Sequence, residues 1–206
     1  MTQAYLVGIG DSLTYGYPYG PKDSWLHLAG QVLGWPVVNR GINGETTGEM
    51  LARFDRDVVE VKPRAVIIMG GTNDAWAKVP AAEVKDHVRH MVDKARRSGI
   101  LPVIALPPPL CPKEADLPGS FLADMAAALE TYREAYRSLA ASYGLMLLDL
   151  YTPLLDPDTG WGREEYFVDA AHPNRKGYQV MAEAALSFLR GDIAPLLEAS
   201  DYATDH

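Results

Sequence analysis

Apolar positions along this chain follow two alternating rhythms. Short runs rich in Leu, Val and Ile at residues 5–9, 37–39, 65–69, 101–106 and 145–148 read as buried β-strands. Between them the apolar residues recur at helical spacing. Trp25, Leu28, Ala29, Val32 and Leu33 form one stripe, with Asp23 or Ser24 as N-cap. Met50, Leu51, Phe54, Val58 and Val61 form a second, and Val84, Val88, Met91, Val92 and Ala95 a third that ends at Ser98-Gly99. Leu122, Met125, Leu129, Tyr132, Tyr136 and Leu139 mark a long amphipathic helix. Tyr178, Met181, Ala185, Phe188 and Leu189 mark the last. Strands alternating with helices predict an α/β fold whose parallel sheet is covered on both faces. No internal repeat interrupts the pattern. The 206 residues therefore read as one domain, 1–206, with a frayed polar tail at 198–206.

The connections carry their own signals. Residues 14–22 hold three tyrosines, two glycines and two prolines, which predicts a structured turn and not a helix. Pro107-Pro108-Pro109 ends the fourth strand. The longest irregular piece, residues 151–172, exceeds the roughly 12–15 residues beyond which loops are uncommon unless functional. It ends in Asp169-Ala170-Ala171-His172-Pro173-Asn174.

Composition removes several classes. Hydrophobic residues at 48% and charged residues at 22% suit a soluble globular chain. A net charge of -8 argues against a nucleic-acid groove, which needs a basic surface to displace counterions. The single cysteine, Cys111, excludes an intramolecular disulfide and a cysteine zinc cluster. No apolar stretch is long enough to span a membrane. The N-terminus lacks a basic segment followed by an apolar one, so a cytoplasmic location is expected, with secretion of a trimmed chain left open.

Candidate chemistry sits where strands end, the edge at which ligands bind in open α/β sheets. The first strand stops abruptly in Gly10-Asp11-Ser12-Leu13, which makes Ser12 a candidate nucleophile and, alternatively, an ordinary turn residue. Acyl transfer by serine also needs a base, a group to orient it, and donors for the oxyanion. Of the five histidines, His206 is terminal, His87 and His90 lie three apart in the third helix and read as surface residues or, alternatively, a chance metal pair, and His27 lies early in the first as a structural residue. Only His172 is in a loop, and Asp169 precedes it closely enough for both side chains to leave one turn. The alternative there is a plain helix start capped by Asp169 or Asn174. After the second strand, Gly41 permits close approach of a backbone N–H; after the third, Asn73 in Gly70-Gly71-Thr72-Asn73-Asp74 offers a side-chain amide. Each is alternatively a turn or a cap.

Taken together these blocks resemble the SGNH or GDSL-type hydrolases. The resemblance rests on Gly10-Asp11-Ser12-Leu13, on Gly41 with Asn43-Gly44, on Gly70-Gly71-Thr72-Asn73-Asp74, and on Asp169 and His172-Pro173-Asn174 with Gly177-Tyr178. The blocks stand in family order from residue 10 to residue 178, nearly the whole domain. Ala170, where many relatives have glycine, is a small departure. The resemblance implies a three-layer α/β/α fold with a flavodoxin-like five-stranded parallel sheet. It implies Ser12 as nucleophile, His172 as base and Asp169 as its orienter. It further implies an oxyanion hole from the Ser12 and Gly41 N–H groups and the Asn73 side chain. The expected function is hydrolysis of a small-molecule carboxylic ester, with no metal or organic cofactor. A lysophospholipase, acyl thioesterase or carbohydrate O-deacetylase would use the same groups. A non-enzymatic flavodoxin-like ligand-binding module is the reading from another class. Against it, no G-x-G-x-x-G or G-x-x-x-x-G-K-[ST] motif occurs. The natural ester and the oligomeric state are not encoded legibly.

Substrate choice is expected to lie in the loops at 14–22, 74–80, 107–119 and 151–168, where Trp76, Leu110, Leu154, Trp161 and Phe167 either line an acyl pocket or simply pack. Lys22, Asp23, Lys78, Lys113, Glu114, Asp116, Asp156, Asp158, Arg163, Glu164 and Glu165 interrupt these loops, and Tyr17, Tyr19, Trp76 and Trp161 suit a short acyl slot better than a long tunnel. Each further buried methylene is worth about 0.8 kcal/mol, so a long groove would show a steady gain with acyl length. The expected outcome is the reverse: kcat/KM on soluble nitrophenyl esters highest from acetyl to about hexanoyl, with weak action on emulsified triglyceride. A maximum at dodecanoyl or longer would discard the short slot.

Overall fold

Alternation within the third strand shows why the sheet is covered twice. Ala65, Ile67 and Met69 are buried in one layer, Val66 and Ile68 in the other. The structure, a computed structural model, describes residues 5–113 and 119–197. Its strands are β1 (Leu6–Gly10), β2 (Val37–Gly41), β3 (Ala65–Met69), β4 (Leu101–Leu106) and β5 (Met146–Asp149), all parallel, in the order β2-β1-β3-β4-β5. The helices are α1 (Ser12–Tyr15), α2 (Trp25–Leu33), α3 (Thr47–Ala52), α4 (Thr72–Trp76), α5 (Ala81–Arg97), α6 (Gly119–Tyr143) and α7 (Arg175–Phe188). Trp25, Leu26 and Ala29 of α2 and Tyr178, Met181 and Ala185 of α7 pack on one face; Met50 of α3, Met91 of α5 and Leu129 of α6 pack on the other. This is the three-layer α/β/α arrangement with a five-stranded parallel sheet. Burying a side chain such as Phe54 or Phe167, both fully inaccessible, contributes about 1.5–3 kcal/mol.

Register brings the site edge into line. Gly10 of β1 lies opposite Gly41 of β2 and Met69 of β3, so the three strands end level. The chain moves outward from β1 to β2, then crosses back to β3 and continues the other way. Strand order reverses at β1, and the crevice outside the carboxyl ends there is where ligands bind in such sheets.

Local departures from the sequence pattern have identifiable causes. The stretch after β1 is not purely a turn. Asp11 caps a single helical turn, α1, by accepting from Leu13 N–H at 2.9 Å, and Gly16 ends it at φ 99. Ser24, and not Asp23, caps α2, because Asp23 belongs to a 3₁₀ turn, Pro21–Asp23. The second apolar stripe is not one helix: α3 ends at Arg53, and a π-turn, Asp55–Val59, follows. Arg53 turns inward there to bond the carbonyls of Gly10 (3.1 Å) and Arg40 (2.9 Å), which a regular helix with Arg53 on its solvent face would forbid. The tail at 198–206, and residues 114–118 of the fourth-strand loop with Glu114 and Asp116, lie outside the described residues. Among those described, no helix is long and apolar enough to cross a membrane.

Candidate active site

Ser12 is the first residue of α1, at the corner where β1 becomes helix. Its hydroxyl lies 3.1 Å from His172 Nε2. On the other side of the ring, His172 Nδ1 lies 3.0 and 2.9 Å from the two Asp169 oxygens. A carboxylate on Nδ1 fixes that nitrogen as the donor and leaves Nε2 as acceptor toward the serine. Ser12, His172 and Asp169 thus form one hydrogen-bonded line across 160 residues of sequence.

The loop that presents His172 is irregular but heavily bonded. It contains two 3₁₀ turns, Thr152–Leu154 and Glu164–Tyr166. Gly162 N–H donates to Leu110 O (2.7 Å) and Cys111 N–H to Ala170 O (2.8 Å), which ties the loop to the chain leaving β4. Val168 N–H donates to His172 O (2.9 Å), so the segment between them is closed on itself. Asn174 then caps α7 by accepting from Gly177 N–H (3.0 Å). Asp169 does not cap α7. Its Oδ1 accepts from the N–H groups of Ala171 (2.9 Å) and His172 (2.8 Å), which aims the carboxylate back at the imidazole. Burial pushes the Asp169 carboxyl upward, but the His172 hydrogen bond and these N–H donors outweigh it and hold the group at about 2.

The expected oxyanion donors differ in what already engages them. Gly41 N–H donates to Asn39 Oδ1 at 2.9 Å and is therefore committed. Gly41 matters sterically: a Cβ there would sit 2.2 Å from Tyr15 N, so only glycine lets β2 approach α1 this closely. Three residues on, Gly44 lies at φ 84 in an open turn, and its N–H has no partner among the described residues. That turn is tied to Asn73, whose Nδ2 donates to Glu45 O at 2.9 Å and keeps a second amide hydrogen for another acceptor. The Ser12 N–H, at the first position of α1, also has no acceptor among the described hydrogen bonds.

Beneath the site lie buried groups that sequence reading did not find. Asp74, next to Asn73 and fully buried, accepts from Thr47 Oγ1 (2.6 Å) and Thr47 N–H (3.0 Å). Thr47 has one hydroxyl hydrogen, so His87 Nδ1, 3.0 Å from that oxygen, is the donor to it. His87 is thus not a plain surface residue but the end of an Asp74–Thr47–His87 relay that fixes α4 against α3. Burial, the largest influence, raises the Asp74 carboxyl above its ordinary value despite these donors. Arg53 bonds Glu45 (2.6 Å) and Asp57 (2.7 Å) besides the ends of β1 and β2. The only signal for it in the sequence is an arginine inside the apolar run from Met50 to Phe54. Leu110, Leu154 and Phe167 are buried core residues, so the packing reading holds for them, whereas Trp76 is exposed and meets Phe121 edge-on. Among the described residues no His, Cys, Asp and Glu cluster has the makings of a metal site.

Residues 9–180 match the GDSL-like Lipase/Acylhydrolase family, and the chain belongs to that family. Among curated proteins, it is 31% identical over 116 residues to the esterase TesA of Pseudomonas aeruginosa, 52% of this chain and 58% of that one. It is 29% identical over 112 residues to the Bacillus subtilis lipoprotein YqeF, 48% of this chain and 46% of that protein. The chain thus spans about half the length of these curated relatives. A solved G-D-S-L-family structure from Desulfitobacterium hafniense DCB-2 superposes with a TM-score of 0.79 at 34% identity, covering 89% of this chain and 98% of the other.

One buried acid gives this site a measurable pH signature. Asp11 is fully buried, its Oδ2 has no hydrogen-bond partner among the described residues, and burial pushes the carboxyl from 3.8 to about 7 against the Leu13 N–H bond and the attraction of His172. Between those values the folded chain keeps a proton that the unfolded chain has released, so this group's contribution to stability falls as pH rises through the interval. Asp11→Asn has no such proton. Its unfolding free energy relative to the parent chain should rise from about pH 4 to about pH 8 in urea titrations. A difference that stays constant with pH would contradict the assignment.

Proposed function

We propose that this protein is a serine esterase acting on short-chain carboxylic esters. The observation that carries the reading is the Asp169–His172–Ser12 line, with contacts of 2.9 and 3.1 Å, at the carboxyl edge beside Asn73. Ser12 Oγ attacks the ester carbonyl as His172 Nε2 takes its proton. Asp169 keeps Nδ1 protonated and stabilises the imidazolium. The tetrahedral oxyanion is received by the Ser12 N–H, the free Asn73 amide hydrogen and, in place of Gly41, the Gly44 N–H. Collapse breaks the ester C–O bond, and His172 passes its proton to the departing alcohol. Water then enters, gives a proton to His172 and adds to the acyl carbonyl. A second collapse releases the acid and returns the proton to Ser12. No step calls on a metal or an organic cofactor. The bonded loop before α7 supports this reading, since an imidazole that must face Ser12 through both halves of the cycle benefits from a fixed mount.

Graded losses test the roles. Removing an oxyanion donor typically costs about 10²–10³ in kcat, so Asn73→Ala should fall in that range with KM little changed. His172→Ala should lose more, and Asp169→Ala should lose substantially because imidazole orientation goes. Stopped-time assays of each variant on nitrophenyl acetate and on the matching thioester check both the roles and the leaving-atom preference. Retention of most activity by His172→Ala would remove it as the base; faster turnover of the sulfur ester would replace the esterase reading by a thioesterase.

A further inference from the structure

An aromatic ring rests against the imidazole that the proposed mechanism charges. The centroid of Tyr17 lies 4.6 Å from that of His172, with the planes inclined at 55°. The Tyr17 ring is 40% exposed and its hydroxyl has no hydrogen bond among the described residues, so neither burial nor the hydroxyl explains its position. Its backbone does. Gly16 ends α1 in the left-handed region, and Tyr17 N–H turns back to Ser12 O at 3.1 Å. Tyr17 O accepts from the hydroxyl of Tyr178 at 2.8 Å. Tyr178 is fully buried on α7, the helix that begins just after His172. The two rings are therefore held by the same two elements, α1 beneath Ser12 and α7 beneath His172.

We infer that Tyr17 is a positioning residue for this reaction: its ring holds the His172 imidazole toward Ser12 and favours the imidazolium formed as the serine proton is taken. The inference rests on His172 being the base, as argued above. A cation within about 6 Å of an aromatic centroid is attracted by the ring's quadrupole, while neutral imidazole gains much less. The other groups facing His172 are Asp169 from its own loop, Asp11 from the β1–α1 corner and the Ser12 hydroxyl. Asp169 favours the charged form throughout and Asp11 does so once ionised, above about 7, and neither is altered by substitution at Tyr17. From α7, the Tyr178 hydroxyl stays neutral because burial pushes it far up. Arg175 is engaged on the Tyr19 ring and on Asp23.

The test compares Tyr17→Phe, Tyr17→Trp and Tyr17→Leu, with kcat and KM measured on one short soluble ester across the pH range. Phe and Trp keep a ring and should match the parent within about twofold, with an unmoved acid limb in kcat/KM. Leu keeps apolar bulk without the ring. Its plateau kcat should fall about three- to fivefold with little change in KM, and its acid limb should move about half a pH unit downward, because the imidazolium loses a stabilising neighbour. An unmoved limb in Tyr17→Leu overturns the proposal. So does a shifted limb in Tyr17→Phe or Tyr17→Trp, an arm that stands even if the leucine variant fails to fold. Failure of the underlying reading shows elsewhere, as activity surviving in His172→Ala.

Discussion

A single buried hydrogen bond, from Leu13 N–H to the Asp11 carboxyl at 2.9 Å, converts the end of β1 into the start of α1. Everything at the site depends on that corner. It places Ser12 at the first helical position, where the backbone N–H has no acceptor of its own. It also turns the chain so that Tyr17 N–H returns to Ser12 O and the Tyr17 ring reaches His172. The cost is a buried carboxyl, raised to about 7, with one oxygen unpartnered among the described residues. A buried polar atom without a partner is expensive, which sets this corner apart from an ordinary strand end.

Around the corner, separate elements are tied together by side chains and not by the sheet alone. Arg53 clamps the ends of β1 and β2 to the π-turn through Gly10 O, Arg40 O and Asp57. Asn39 bonds Thr14 O and Gly41 N–H, joining β2 to α1. Asp74, Thr47 and His87 lock α4 to α3 and α5, which steadies Asn73 one residue away. Removing one partner from such a buried network leaves the others unsatisfied, so its members are felt at the site without touching substrate. The same logic applies to the long loop before α7, which holds His172 in place: its backbone is bonded to Leu110, Cys111 and itself.

The fold was legible because burial on both faces makes strands such as 65–69 continuously apolar, while helices keep a stripe. As proposed nucleophile, base and orienter, Ser12, His172 and Asp169 were legible because they lie at strand or helix ends, where few structural demands compete for them. The backbone donors were not. Whether Gly41 or Gly44 offers a free N–H depends on where the Asn39 side chain lands, and residue type alone does not reveal that. Arg53 and His87 escaped for a related reason. Each sits on a helical pattern where a polar residue signals solvent, and only tertiary placement shows Arg53 turned inward and His87 reaching Thr47. The break between α3 and the π-turn was hidden behind an unbroken apolar stripe, since periodicity reports a buried face and not the continuity of the backbone.

The whole proposed cycle begins with attack by Ser12. Reaction of the native chain with a fluorophosphonate, followed by peptide mapping by mass spectrometry, tests this most directly. The phosphonyl group should appear on the peptide containing Ser12 and should be absent from Ser12→Ala treated identically. An adduct on any other residue, or labelling of Ser12→Ala at the parent rate, would contradict the assignment.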